Sequence, residues 1–179
     1  PERYYRTRYD APGAPELAAS VAMLVGDLEP VTQAPRRGLD HGAYVPLTVM
    51  YPEADVPVLQ MSMPDLDPEH LFRIGQRLAP LRDEGVLVVG SGFLTHGLPY
   101  VREYMGGRPG APAWSMDFDA WATEALARGD LDALFGFRHG APGMPYAHPT
   151  VEHFAPLFVT LGAATVADET PDFRIDGYW

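Results

Sequence analysis

The sequence predicts an α/β domain with a largely parallel or mixed central sheet flanked by helices. Three observations carry the prediction. An apolar β-rich run, a capped amphipathic helix and a second apolar run follow one another between Val56 and Val89, the length and pattern of a βαβ unit. The 18 Gly and 19 Pro fall in short clusters between the periodic segments, as in a fold of many tight loops. A chain of 179 residues with 46% hydrophobic and 21% charged residues can bury the core of one domain.

Taken in order, Pro15–Gly26 (PELAASVAMLVG) reads as the first helix: Pro opens it, Leu17, Val21 and Leu24 share a face, and Gly closes it. Val56–Met61 (VPVLQM) reads as a strand closed by Pro64. Asp67 then supplies an N-cap, Pro68 the first helical position, and Leu71, Ile74, Leu78 and Leu81 an apolar stripe that ends at Gly85. Val86–Val89 follows as a continuous apolar strand of the kind covered on both faces. It leads into the loop Gly90-Ser91-Gly92-Phe93-Leu94-Thr95-His96-Gly97, placed where parallel α/β folds bind ligands. Asp117–Arg128 reads as a helix with an Asp cap and a Gly stop, and Asp130–Phe137 as a second, shorter one. Thr150–Leu161 reads as a helix capped by Thr150, with Pro156 imposing a kink or a late start. Phe173–Trp179 is expected to add an edge strand.

Charge and composition exclude several function classes. Thirteen basic residues, all Arg, against 24 acidic ones leave a net charge of −11, which repels phosphate backbones and anionic lipid, so nucleic acid is not an expected partner. With no Cys, disulfides, thiolate metal sites and a cysteine nucleophile are all excluded, leaving His, Asp and Glu as metal ligands. No apolar run reaches membrane-spanning length and no signal-like segment opens the chain, so a cytoplasmic location is expected. The first residue is Pro1, as in a processed start or a piece of a longer chain.

Six His carry the candidate chemistry: His41, His70, His96, His139, His148 and His153. His41 sits in Asp40-His41-Gly42-Ala43-Tyr44, His96 in the Gly-rich loop, and His148 and His153 in His148-Pro149-Thr150-Val151-Glu152-His153. The last interval is not the i, i+4 spacing of a helical two-His metal motif, and no local motif makes a metal site by itself. His70 and His139 read as structural. Glu152 is open between function and the helix dipole, which favours acids in a first turn. Ser91 fails as a hydrolase nucleophile because Val89 stands directly before Gly90-Ser91-Gly92, so Gly-x-Ser-x-Gly is not formed. The same glycines lack the Lys of a phosphate-binding loop.

Five strings together resemble the class III extradiol ring-cleavage dioxygenases, most of all the DOPA dioxygenase type. They are Asp40-His41-Gly42; Met50-Tyr51-Pro52 with Ala54-Asp55-Val56-Pro57-Val58; Leu78-Ala79-Pro80-Leu81-Arg82-Asp83-Glu84-Gly85-Val86-Leu87; Gly90-Ser91-Gly92 with Thr95-His96; and His148-Pro149-Thr150 with Glu152-His153 and Pro156-Leu157. They occur in family order, and the resemblance covers most of the chain, from about Tyr9 to Leu161. The resemblance implies a nonheme Fe(II) enzyme, with Zn in some relatives, that opens a catechol ring beside its hydroxyls using O2. It implies a metal held by two His and a third ligand. Of these, His153 matches the third, while the two N-terminal His motifs have no counterpart in this chain. On this reading residues 1–179 are the C-terminal portion of one catalytic domain, and the missing part belongs to the full protein or to another chain. A homo-oligomer is also open.

The resemblance further implies that His96 is an acid/base group and that His41 contacts the substrate hydroxyl or the oxygen species, with Tyr44 and Thr95 on the substrate side. Two departures adjoin these positions. Family members commonly carry Thr or Ser then Trp where this chain has Ala43-Tyr44, and Asn where it has Gly97. The alternative is a noncatalytic, truncated or divergent member that binds a small molecule or a partner. A zinc hydrolase on a similar scaffold has no separate motif to support it.

Overall fold

A computed structural model describes residues 7–105, 110–165, 171–173 and 177. The chain divides into two compact units, Pro1–Pro64 and Asp65–Trp179.

In the first unit, α1 (Pro15–Val25) forms as its Pro start and apolar face predict, burying Val21 and Val25. A further helix, α2 (His41–Met50), begins directly after Asp40, where the sequence pattern suggests only a loop running into an apolar segment. Asp40 is a true N-cap: its Oδ1 accepts the Ala43 N–H at 3.2 Å. It is also clamped from the side, since its own N–H donates to Gln60 Oε1 (2.9 Å) and its Oδ2 accepts from Gln60 Nε2 (3.0 Å). Pro46 stands inside α2 and masks the helix in the local pattern. Val58 makes an isolated parallel bridge with Gly13, its N–H donating to Pro12 O at 2.8 Å.

The second unit is built on α3 (Pro68–Leu78) and α8 (Pro156–Thr165). Asp67 caps α3 by accepting the His70 N–H at 2.8 Å, and the His70 ring meets Asp65 Oδ2 at 2.7 Å, which accounts for His70 structurally. The predicted stripe is the core face: Leu71, Ile74, Leu78 and Leu81 are all buried. Each such side chain stabilises the fold by roughly 1.5–3 kcal/mol. A 3-10 turn, Ala79–Arg82, extends α3. The two helices cross with backbones in contact. A Cβ on Gly75 would stand 2.1 Å from Val159 O, and one on Gly162 would stand 2.1 Å from Phe72 O.

Between them lie α4 (Val101–Met105), α5 (Ala113–Arg128), α6 (Leu131–Phe135) and α7 (Phe137–Gly140). Helix α5 starts ahead of the predicted Asp117, following Pro112, and ends at Gly129 in the left-handed conformation. Helix α8 starts late, at Pro156 and not after Thr150, because Pro is favoured in the first turn where its missing N–H is not needed. Phe118, Phe137, Phe154 and Phe158 fill the core between α5, α7 and α8, with Phe118–Phe154 and Phe154–Phe158 edge-to-face at 5.2 and 5.5 Å.

Residues 56–61 and 86–89 run without helix, and no strand ladder is found among the described residues. In the second run the Val86 N–H is taken by Leu81 O, while Leu87 and Val89 point outward, 65% and 56% exposed. The expected edge strand at Phe173–Trp179 falls largely outside the described residues. No described helix is long and apolar enough to cross a membrane.

Candidate active site around His96 and His153

The Gly-rich loop and the turn that precedes α8 meet in the second unit. Phe93 N–H donates to His153 O at 2.9 Å, and His96 N–H donates to Ala147 O at 2.7 Å. Gly92 permits this approach, since a Cβ there would lie 2.1 Å from His153 O; a Cβ on Gly90 would lie 2.8 Å from Pro156 O. The Gly90-Ser91-Gly92 string therefore works as a clearance device and not as a nucleophile loop.

The two loops bring His96 and His153 face to face, ring centroids 3.5 Å apart and planes 20° from parallel. Phe93 lies beside both rings at 5.9 and 5.8 Å. Glu152 joins them: one ligand atom from each of His96, Glu152 and His153 lies within 4.8 Å of the others. Glu152 sits in the turn before α8, not in its first turn, so the helix-dipole explanation for an acid at this position does not hold.

The electrostatics follow from this crowding. Partial burial, with the neighbouring His153 second, lowers the His96 pKa below 6.5, while Glu152 opposes the shift. Glu152 is held below the usual carboxylate range, chiefly because it accepts the Thr150 hydroxyl at 2.7 Å. A neutral imidazole beside an ionised carboxylate and a second imidazole is a donor set for a divalent metal, and two His with one carboxylate suit nonheme Fe(II). A cleft of about 160 Å³ adjoins His153, walled by Phe93, Leu94, Phe154 and Leu157.

Thr95 is beside His96, with its hydroxyl 3.0 Å from that of the buried Ser115. His41 and Tyr44 belong to the first unit: His41 is the exposed first residue of α2, and Tyr44, one turn on, is half-buried. Gly97 is held close by its surroundings, since a Cβ there would meet the Trp114 ring and lie 2.9 Å from Tyr146 O. His148, whose sequence surroundings read as unlike a buried core, is in fact 1% exposed and packed between Phe118 and Phe154. The only local signal for it is an apolar setting, Ala147 and Pro149 on either side.

A family model described as the catalytic LigB subunit of aromatic ring-opening dioxygenase matches residues 2–176. The chain is 45% identical over 170 residues to a 4,5-DOPA dioxygenase extradiol of Beta vulgaris, covering 92% of this chain and 61% of that protein. It is 34% identical over 167 residues to a 4,5-DOPA dioxygenase extradiol of Escherichia coli K12, covering 91% and 60%. The crystal structure of an uncharacterized protein from Escherichia coli K12 superposes with a TM-score of 0.76 at 32% identity, covering 88% of this chain and 65% of that one. The chain thus spans about 60% of the length of these two curated relatives.

Proposed function

The chain belongs to the LigB family of aromatic ring-opening dioxygenases, and on that footing we propose that it carries part of an extradiol site that opens a catechol-type ring with O2. The observation that carries the reading is the His96–Glu152–His153 cluster, formed by two of the five strings that carry the family resemblance. Held there, Fe(II), or Zn in its place, would supply a Lewis-acidic centre for the ring-opening chemistry.

In this proposal His153 holds the metal and His96 moves protons. A His kept neutral by burial and a neighbouring imidazole can accept the proton of a catechol hydroxyl on a ring nitrogen and return it to the opened product. Thr95, steadied by Ser115, contributes a substrate contact from the loop; for His41 and Tyr44 the substrate role rests on the family resemblance alone. The remaining ligands come from a segment or chain beyond residues 1–179. On this reading the complete catalytic domain is α/β, and a cytoplasmic setting fits.

The donor set favours a second assignment of one residue: His96 as a metal ligand with Glu152 and His153. Anaerobic Fe(II) loading followed by a catechol and O2 tests both, the expected product being a yellow ring-opened compound. His153→Ala should lose metal. His96→Ala should keep metal and lose turnover if His96 is the acid/base, and lose metal if it is a ligand. Full turnover in both variants would sink the site.

A further inference from the structure

His148 is a buried imidazole that the proposed reaction does not use. Its Nε2 lies 2.7 Å from Leu94 O, two residues before His96 in the Gly-rich loop. A carbonyl can only accept, so Nε2 carries the proton. Nδ1 is buried and meets no hydrogen-bond partner among the described residues, facing an aromatic setting that includes Phe118 at 5.0 Å and Phe154 at 5.3 Å between ring centroids. A bare ring nitrogen fits there better than a second N–H, which would need an acceptor.

The bond to Leu94 is one of three that lace the two site loops together. Ala147 O, from the residue before His148, accepts the His96 N–H, and His153 O accepts the Phe93 N–H. Two of these ties are backbone to backbone and are open to almost any side chain. The third is made by the His148 side chain, anchored in the core by Phe118 and by Phe154, the neighbour of His153. Its ring reaches the loop beside His96, while its aromatic neighbours continue into α8 through Phe158.

We propose that His148 is a positioning residue whose Nε2–H, donated to Leu94 O from within the aromatic core, holds the His96 loop against the His153 turn and so sets the facing of the two imidazoles. A phenyl ring would fill the same space but leave Leu94 O without its donor. Gln extends an amide N–H to about the Nε2 position and retains the bond. The metal arm of the test rests on the extradiol reading of the site; the other arms do not.

Side-chain 15N NMR of the full chain near neutral pH should find His148 neutral and protonated at Nε2, with a coupling across the bond to Leu94 C=O. Protonation at Nδ1, or no such coupling, overturns the proposal, and this measurement needs no variant. In His148→Phe the nuclear Overhauser contact between the His96 and His153 rings should vanish while far-UV circular dichroism stays at the parent level; in His148→Gln the contact should return. Co(II) affinity should fall roughly tenfold or more in the Phe variant, as when a supporting residue behind metal ligands is lost, and be restored in the Gln variant. Equal ring contact in parent and Phe variant overturns the proposal, and so does failure of Gln to restore it. If His148→Phe does not fold, the 15N measurement decides. If the parent binds no Co(II) even with the segment or chain that supplies the remaining ligands present, the metal reading fails, while the ring contact and the 15N coupling still decide the role of His148.

Discussion

The imidazoles of His96 and His153 stack 3.5 Å apart, close enough that His153 disfavours a proton on His96. Burial is the larger cause of the lowered His96 pKa, His153 the next, and Glu152 opposes both. His153→Ala should therefore raise the His96 pKa toward 6.5, and Glu152→Gln should lower it further. Ring-proton NMR titration of the metal-free chain reads both shifts, and a shift of opposite sign in either variant would refute this account of the pair.

Acid should destabilise the second unit through His148. Desolvation, opposed by the Leu94 hydrogen bond, lowers its folded-state pKa below 6.5. Below about pH 6.5 the unfolded chain binds a proton that the folded chain refuses, so stability falls as pH drops from there to the folded pKa and then levels off. The slope from this one group reaches at most about 1.4 kcal/mol per pH unit. Urea unfolding at a series of pH values should show His148→Gln losing this share of the acid sensitivity. Parallel curves for the two proteins would contradict it.

The α3–α8 crossing tolerates no side chain at its two glycines. Gly75→Ala and Gly162→Ala each push a methyl group to about 2.1 Å from a backbone carbonyl oxygen of the other helix. Backbone cannot swing aside as a side chain can, so each substitution should destabilise by roughly 1–3 kcal/mol or more. Unchanged urea midpoints would show that the helices cross farther apart.

Gly92→Ala places the same clash at the site and not in the core. Its methyl would meet His153 O, the acceptor of the Phe93 N–H. Helix content should hold, while the His96–His153 ring contact opens and Co(II) affinity falls by roughly tenfold. Calorimetric titration with Co(II) beside circular dichroism separates the two effects; intact affinity would show that the loop spacing does not govern the pair.

Much of the helical framework is legible in the sequence because caps and stripes are local. Asp67-Pro68 followed by Leu71, Ile74, Leu78 and Leu81 predicts α3 and its buried face from neighbouring residues alone, and the Pro start of α1 works the same way. Helix α2 is not legible, because Pro46 contradicts its interior and the cap that starts it is clamped by the distant Gln60. Runs 56–61 and 86–89 read as strands by composition, but a strand exists only through a partner's hydrogen bonds, which no local pattern supplies. His96 and His153 are identifiable as candidates from their motifs. Their face-to-face stacking, the entry of Glu152 and the burial of His148 are decided only by tertiary structure, since they depend on two loops, distant in sequence, approaching to hydrogen-bonding distance over Gly92. Residue types and local periodicity determine which groups can do chemistry and which faces seek burial; the distance between groups far apart in the chain is set by the packing that closes the loops between them.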